Sequence, residues 1–199
     1  MAMNFKVLEN EHVVAEYVAD ILRKQFNNNP TTIAGLHLAK ENAPVLDELK
    51  KNVDSHAVDF SQINILDYDD NKSYYEALGV PNGQIYNVSF SEDTESFIKD
   101  KIKTKENKGK LIVQVVSLDA SGNLDVALRQ GLLSSREVLL VITGTDKKDA
   151  VKKLYEENGK TNFEPADLKA HRMVNVILDE AAAEGLPEDV RQYFTARFA

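Results

Sequence analysis

Cysteine is absent from this chain of 199 residues, which removes disulfides, thiolate metal sites and thiol nucleophiles together. Long apolar runs are absent as well. The strongest, such as residues 138–142, fall far short of the roughly 20 residues a membrane-crossing helix needs. The opening residues Met1-Ala2-Met3-Asn4-Phe5 show no basic region leading into an apolar stretch, so no secretory leader is expected. No two histidines stand at metal-ligand spacing and no carboxylate cluster accompanies one, so neither a metal centre nor any other cofactor is expected. Positive charge is also in short supply. With 24 Lys and Arg against 32 Asp and Glu, the net charge is −8, which repels phosphate backbones. The lysine-rich run from Lys99 to Lys110 is diluted by Asp100 and Glu106 and reads as a solvated helix end. These absences leave a soluble, cytoplasmic protein that engages neither nucleic acid nor membrane, and a homo-oligomer stays open.

What is present is an alternation of extended and helical patterns. Apolar residues make up 43% of the chain, enough for one domain over residues 1–199 with a substantial core. Residues 4–8 read as a first strand, followed by a helix whose Val13, Val14, Tyr17, Val18, Ile21 and Leu22 form one apolar stripe. Residues 32–38, 111–116 and 138–142 are nearly continuous apolar runs, the signature of interior strands covered on both faces. Residues 63–66, 84–90 and 174–178 supply further strands, with 84–90 at an edge. A last helix begins at Pro187 and should dock through Val190, Tyr193, Phe194 and Phe198. Strand–helix–strand spacing of this kind predicts an α/β fold: a three-layer, Rossmann-like domain with a mostly parallel sheet and helices on both faces. Ligands of such sheets sit beyond the carboxyl ends of the strands.

Four segments follow strands on that edge: residues 37–42, 67–71, 117–123 and 143–147. In the last, Gly144 turns the chain from a buried strand into a helix and Lys147 lies three residues on. Backbone amides at a helix start plus an ammonium suit a phosphate; Asp146 works against one, and the bland alternative is a tight turn with no ligand. Asp67 and His37 each stand just past a strand. A half-buried carboxylate there can take a proton from carbon beside a carbonyl, and the bland alternatives are a turn-forming aspartate and a packed imidazole. His171 reads as structural.

The order strand–Thr143-Gly144–Lys147, then Asp167-Leu168-Lys169-Ala170-His171, then Asp179-Glu180-Ala181-Ala182-Ala183 resembles the closing segment of the glucosamine-6-phosphate isomerase/deaminase and 6-phosphogluconolactonase superfamily. The resemblance covers most of the chain in element order and is specific from about Val138 to Leu186. It implies a sugar-phosphate protein of carbohydrate metabolism, with Lys147 and Gly144 holding phosphate and Asp67 as the base. An active chain would be an aldose–ketose isomerase or deaminase on a phosphorylated sugar. Elsewhere the family pattern breaks. A Gly-Ser-Thr phosphate loop is replaced by Ala39-Lys40-Glu41, where only Lys40 offers a cation. The family's Gly-x-Gly-x-Asp-Gly-His becomes Ser117-Leu118-Asp119-Ala120-Ser121-Gly122-Asn123, without the ring-opening histidine. His37 is the one histidine left on the expected edge. For a family arginine the available substitutes are Arg129 and Arg136, neither of them in a recognisable motif. Two outcomes follow from these losses: an isomerase or deaminase relative working with other residues, or a non-catalytic sensor or partner subunit.

Overall fold

The computed structural model describes residues 3–88, 94–102, 111–119, 121–122, 135–156 and 173–196. Along the chain run β1 (Asn4–Leu8), α1 (Glu11–Asn28), β2 (Ile33–His37), α2 (Pro44–Ser55), β3 (Asn64–Asp67), α3 (Lys72–Leu78) and β4 (Ile85–Asn87). They are followed by α4 (Thr94–Lys101), β5 (Val113–Ser117), β6 (Glu137–Ile142), α5 (Lys148–Glu156), β7 (Val174–Asp179) and α6 (Glu188–Ala196). Local chemistry sets several of these boundaries. The Asn10 side chain accepts from the Val13 N–H at 3.0 Å and caps α1, and Pro44 occupies the first turn of α2. Gly79, at φ 107°, ends α3.

The seven strands form one sheet in the order β1-β7-β6-β5-β2-β3-β4, and all six pairings are parallel. The three strands expected in the interior, now β2, β5 and β6, are consecutive neighbours. The expected edge strand, β4, lies at the edge. Helices cover both faces. On one, Leu22 of α1, Leu49 of α2 and Tyr75 of α3 share a core with Leu36, Ile65 and Val115. On the other, Val151 and Leu154 of α5 and Phe194 of α6 pack on Phe5, Leu140 and Leu178. Ile98 of α4 covers Ile33 and Leu66 on this second face.

The α6 stripe is narrower than its spacing suggests. Phe194 is buried and Val190 packs against the same core, but Tyr193 is 57% exposed; Phe198 lies outside the described residues. A helix seated on a sheet edge buries only the side chains aimed at the strands, and Tyr193 points away from them. No helix among the described residues is long and apolar enough to cross a membrane.

The strand order has one reversal. From β2 the chain moves outward through β3 to β4, and from β5 it moves the opposite way through β6 to β7. Connections therefore diverge between β2 and β5, and a crevice opens at their carboxyl ends.

Candidate functional site

Three turns meet at that crevice. Behind β2, residues Lys40–Asn42 make one turn of 3₁₀ helix, closed by the Asn42 N–H on the Ala39 carbonyl at 2.8 Å. Asn42 is buried and joins the turn to the two neighbouring strand ends. Its Nδ2 donates to Thr143 Oγ1 at 3.0 Å, and its Oδ1 accepts from Ser117 Oγ at 2.8 Å. Buried polar groups have to be paired, and these three side chains pair one another.

Behind β6, Gly144 sits at φ 98°, a region costly for any residue with a Cβ; a Cβ there would also stand 2.6 Å from Asp146 Oδ1. Its N–H donates to the Asp179 carboxylate at 3.1 Å, and Asp179 accepts a second N–H from Ala182 at 2.9 Å. The Gly144 amide, expected to face a phosphate, is thus bound to the carboxylate that ends β7.

Lys147 has a side chain only 3% exposed. Its Nζ lies 3.1 Å from Glu41 Oε1 and 3.1 Å from Asp146 Oδ2. Burial pushes the ammonium toward deprotonation, but the hydrogen bonds and charges of Asp146 and Glu41 outweigh it, and the pKa lies above the ordinary lysine value. Lys147 is a fixed positive charge. It borders a cleft of about 440 Å³ walled by Glu11, Ala39, Glu41, Asp119 and Gly144. Lys40 is exposed and does not line this cleft.

His37 and Asp67 also stand at the strand ends, yet outside that wall. Asp67 pairs in register with Leu36, and both belong to the face covered by α1, α2 and α3. His37 pairs with Val116, whose side chain belongs to the opposite face. Side chains alternate along a strand, so the two groups project to opposite sides of the sheet. Asp67 is 1% exposed, and its oxygens accept the N–H groups of Asp69 at 3.0 Å and Asn71 at 2.7 Å. Burial raises its pKa against the lowering effect of those two amides. Asp69 in turn accepts the Leu38 N–H at 2.8 Å and lies 2.9 Å from His37 Nδ1. The β3 turn therefore braces the β2 turn. Below it Tyr75 is buried, its hydroxyl without a hydrogen-bond partner among the described residues. Burial, and then the charges of Asp67 and Asp69, push this phenol well above its usual value.

Among the described residues, no group of three or more His, Asp or Glu side chains is placed to hold a metal. Arg136 immediately precedes β6 and lies at the amino edge of the sheet, opposite the cleft. Arg129, Asn123 and His171 lie outside the described residues. Sequence reasoning missed the braces Asn42, Ser117, Thr143 and Asp179. The one available signal was that Ser117, Thr143 and Asp179 are small polar residues at the ends of apolar strands; Asn42, in the turn beyond β2, gave none.

No family model matches the chain. Glucosamine-6-phosphate deaminases match parts of it. That of Bacillus subtilis is 41% identical over 58 residues, 29% of this chain and 24% of the relative. That of Clostridium beijerinckii is 26% identical over 164 residues, 80% of this chain and 61% of the relative. Solved structures extend the likeness along the chain. A monomeric glucosamine-6-phosphate deaminase, described as a missing link of the NagB superfamily, superposes with a TM-score of 0.74 at 17% identity, covering 92% of this chain and 100% of its own. The 6-phosphogluconolactonase of Leishmania guyanensis does so with a TM-score of 0.70 at 12% identity, covering 94% and 100%. The chain is thus similar in sequence to glucosamine-6-phosphate deaminases over part of its length, and it shares its fold with the deaminase and 6-phosphogluconolactonase structures. It spans less than two thirds of the length of the curated superfamily relatives it matches. At these identities the superfamily structures share its fold, the seven-stranded parallel sheet and its helical layers.

Proposed function

We propose that this protein binds a small phosphorylated sugar in the cleft at the carboxyl ends of β2, β5 and β6, with Lys147 as the anchor for the phosphate. One observation carries the reading: a buried, permanently charged ammonium borders a cleft of about 440 Å³ at the topological switch point. The named activities of the superfamily relatives, glucosamine-6-phosphate deaminase and 6-phosphogluconolactonase, support a sugar phosphate as the ligand class.

The same geometry favours binding without efficient deamination. Proton transfer needs a base within hydrogen-bond reach of the reacting carbon. Asp67 already accepts two backbone amides inside the fold, and His37 projects to the other side of the sheet. Among the described residues the cleft wall carries carboxylates and Lys147 but no histidine. A sensor or partner subunit suits this arrangement better than an isomerase.

Calorimetry and thermal shift with glucosamine 6-phosphate, fructose 6-phosphate and 6-phosphogluconate test the reading, because a ligand of the native state stabilises by mass action. At least one of these should raise the melting temperature. Lys147→Ala should weaken that ligand by about 1.5–3 kcal/mol, the worth of a charged hydrogen bond. Unchanged affinity removes Lys147 from the site. Turnover of glucosamine 6-phosphate at ordinary enzymatic rates, roughly 1–10³ per second, refutes the non-catalytic reading.

A further inference from the structure

Lys147 and Glu41 are 106 positions apart in sequence and meet across the carboxyl end of β5. Their environments are unequal. The Lys147 side chain is 3% exposed and that of Glu41 is 41% exposed. A buried ammonium left without an anion is costly, whereas a glutamate on the surface can turn into water at little cost. Lys147 therefore always needs a partner, and Glu41 is free to leave. Asp146, the second carboxylate on Lys147, is 66% exposed and more fully screened by solvent.

The backbone that delivers Glu41 is fixed. The next residue, Asn42, is tied by its side chain to Ser117 and Thr143, and the 3₁₀ turn closes on Ala39. Only the Glu41 side chain has to move for the lysine to be released. A carboxylate tethered in this way competes with any free anion at an effective concentration in the millimolar range or above. It also repels a second negative charge brought to the same cation.

We propose that Glu41 is the specificity-determining residue of this cleft. Its carboxylate holds the place of a ligand's phosphate on Lys147, so the lysine is yielded only to a phosphate carried on a sugar body that fills the cleft, and inorganic phosphate is refused. This rests on the reading of Lys147 as the phosphate anchor. Glu41→Gln keeps an acceptor for the ammonium and removes the competing charge.

The experiment is calorimetry on the wild-type chain, Glu41→Gln, Lys147→Met and the double variant, with glucosamine 6-phosphate, unphosphorylated glucosamine and inorganic phosphate as probes. Glu41→Gln should bind glucosamine 6-phosphate at least about tenfold more tightly and should gain measurable affinity for inorganic phosphate. Glucosamine, which carries no phosphate, should show no such gain, and the double variant should lose both gains. Circular dichroism and melting temperature establish that each variant is folded; the double variant removes the charged pair together and leaves neither member unpaired. Equal or weaker binding of glucosamine 6-phosphate by Glu41→Gln overturns the proposal. If Lys147→Met still loses the ligand in that case, the anchor reading stands alone. Binding of neither phosphate by wild type nor by Glu41→Gln overturns both.

Discussion

Asp67 accepts two backbone amides at once, those of Asp69 and Asn71, from a position with 1% exposure. An asparagine there can turn only one oxygen toward them, and its NH₂ then faces the other N–H donor-to-donor. Leaving a buried donor unsatisfied costs about 1–3 kcal/mol. Asp67→Asn should therefore lower the unfolding free energy measured in urea by an amount in that range, and sugar-phosphate affinity measured below the transition should hold. A loss of affinity with full stability would return Asp67 to the binding machinery. The sequence placed this aspartate correctly at a strand end. It could not tell a base from a turn-former, because the amides that occupy Asp67 belong to a loop whose course the sequence does not specify. Lys147 shows the same limit. Its approach to a strand end was readable from Gly144 and the apolar run before it, but its partner Glu41 arrives from 106 positions away.

The strands were the most legible elements. Continuous apolar runs at β2, β5 and β6 admit only a parallel, two-sided environment, and the sheet places them side by side. What joins those strands was hidden. The Asn42 side chain reaches Ser117 across 75 positions and Thr143 across 101. No local propensity encodes a pairing at that range. Strand packing holds a similar long-range fit at Gly35, which pairs with Gln114 of β5. The Gln114 side chain lies over it, bonded through Nε2 to the Val115 carbonyl at 3.0 Å, and a Cβ at Gly35 would stand 2.1 Å from Gln114 Oε1. Gln114 is 1% exposed and has no solvent to retreat into. Gly35→Ala should cost about 1–3 kcal/mol by overpacking. Adding Gln114→Ala should return part of that loss, because residues in contact are not additive. Equal destabilisation with and without Gln114 would refute the clash.

Across the whole molecule a net charge of −8 makes acidification relieve repulsion before it breaks ion pairs. Glu137, the first residue of β6, works in the same direction. Burial raises its pKa, against a smaller lowering by the Asn175 Nδ2 donor at 3.1 Å. A carboxyl whose folded pKa lies above its unfolded value stabilises the protein below the unfolded value, about 4.3. That contribution is lost as pH rises through the folded value. Glu137→Gln keeps the acceptor for Asn175 and cannot ionise, so its melting temperature should exceed that of the wild type at pH 7. The difference should close as pH falls toward about 4. A gain that persists unchanged at pH 4 would rule out ionisation as the cause. The sheet order has a last consequence, for the growing chain. β2, β3 and β4 find one another within a short span, but among the described residues β1 has only β7 beside it, and Asn4 meets Asn175 about 170 residues later. At 5–20 residues per second, a ribosome needs about 10–30 s to supply that partner. For that interval Phe5 and Val7, core residues of the finished protein, have no strand to join. A strand made about 170 residues ahead of its partner is thus among the last to be sheltered, and any chaperone that attends its synthesis has those two side chains to hold.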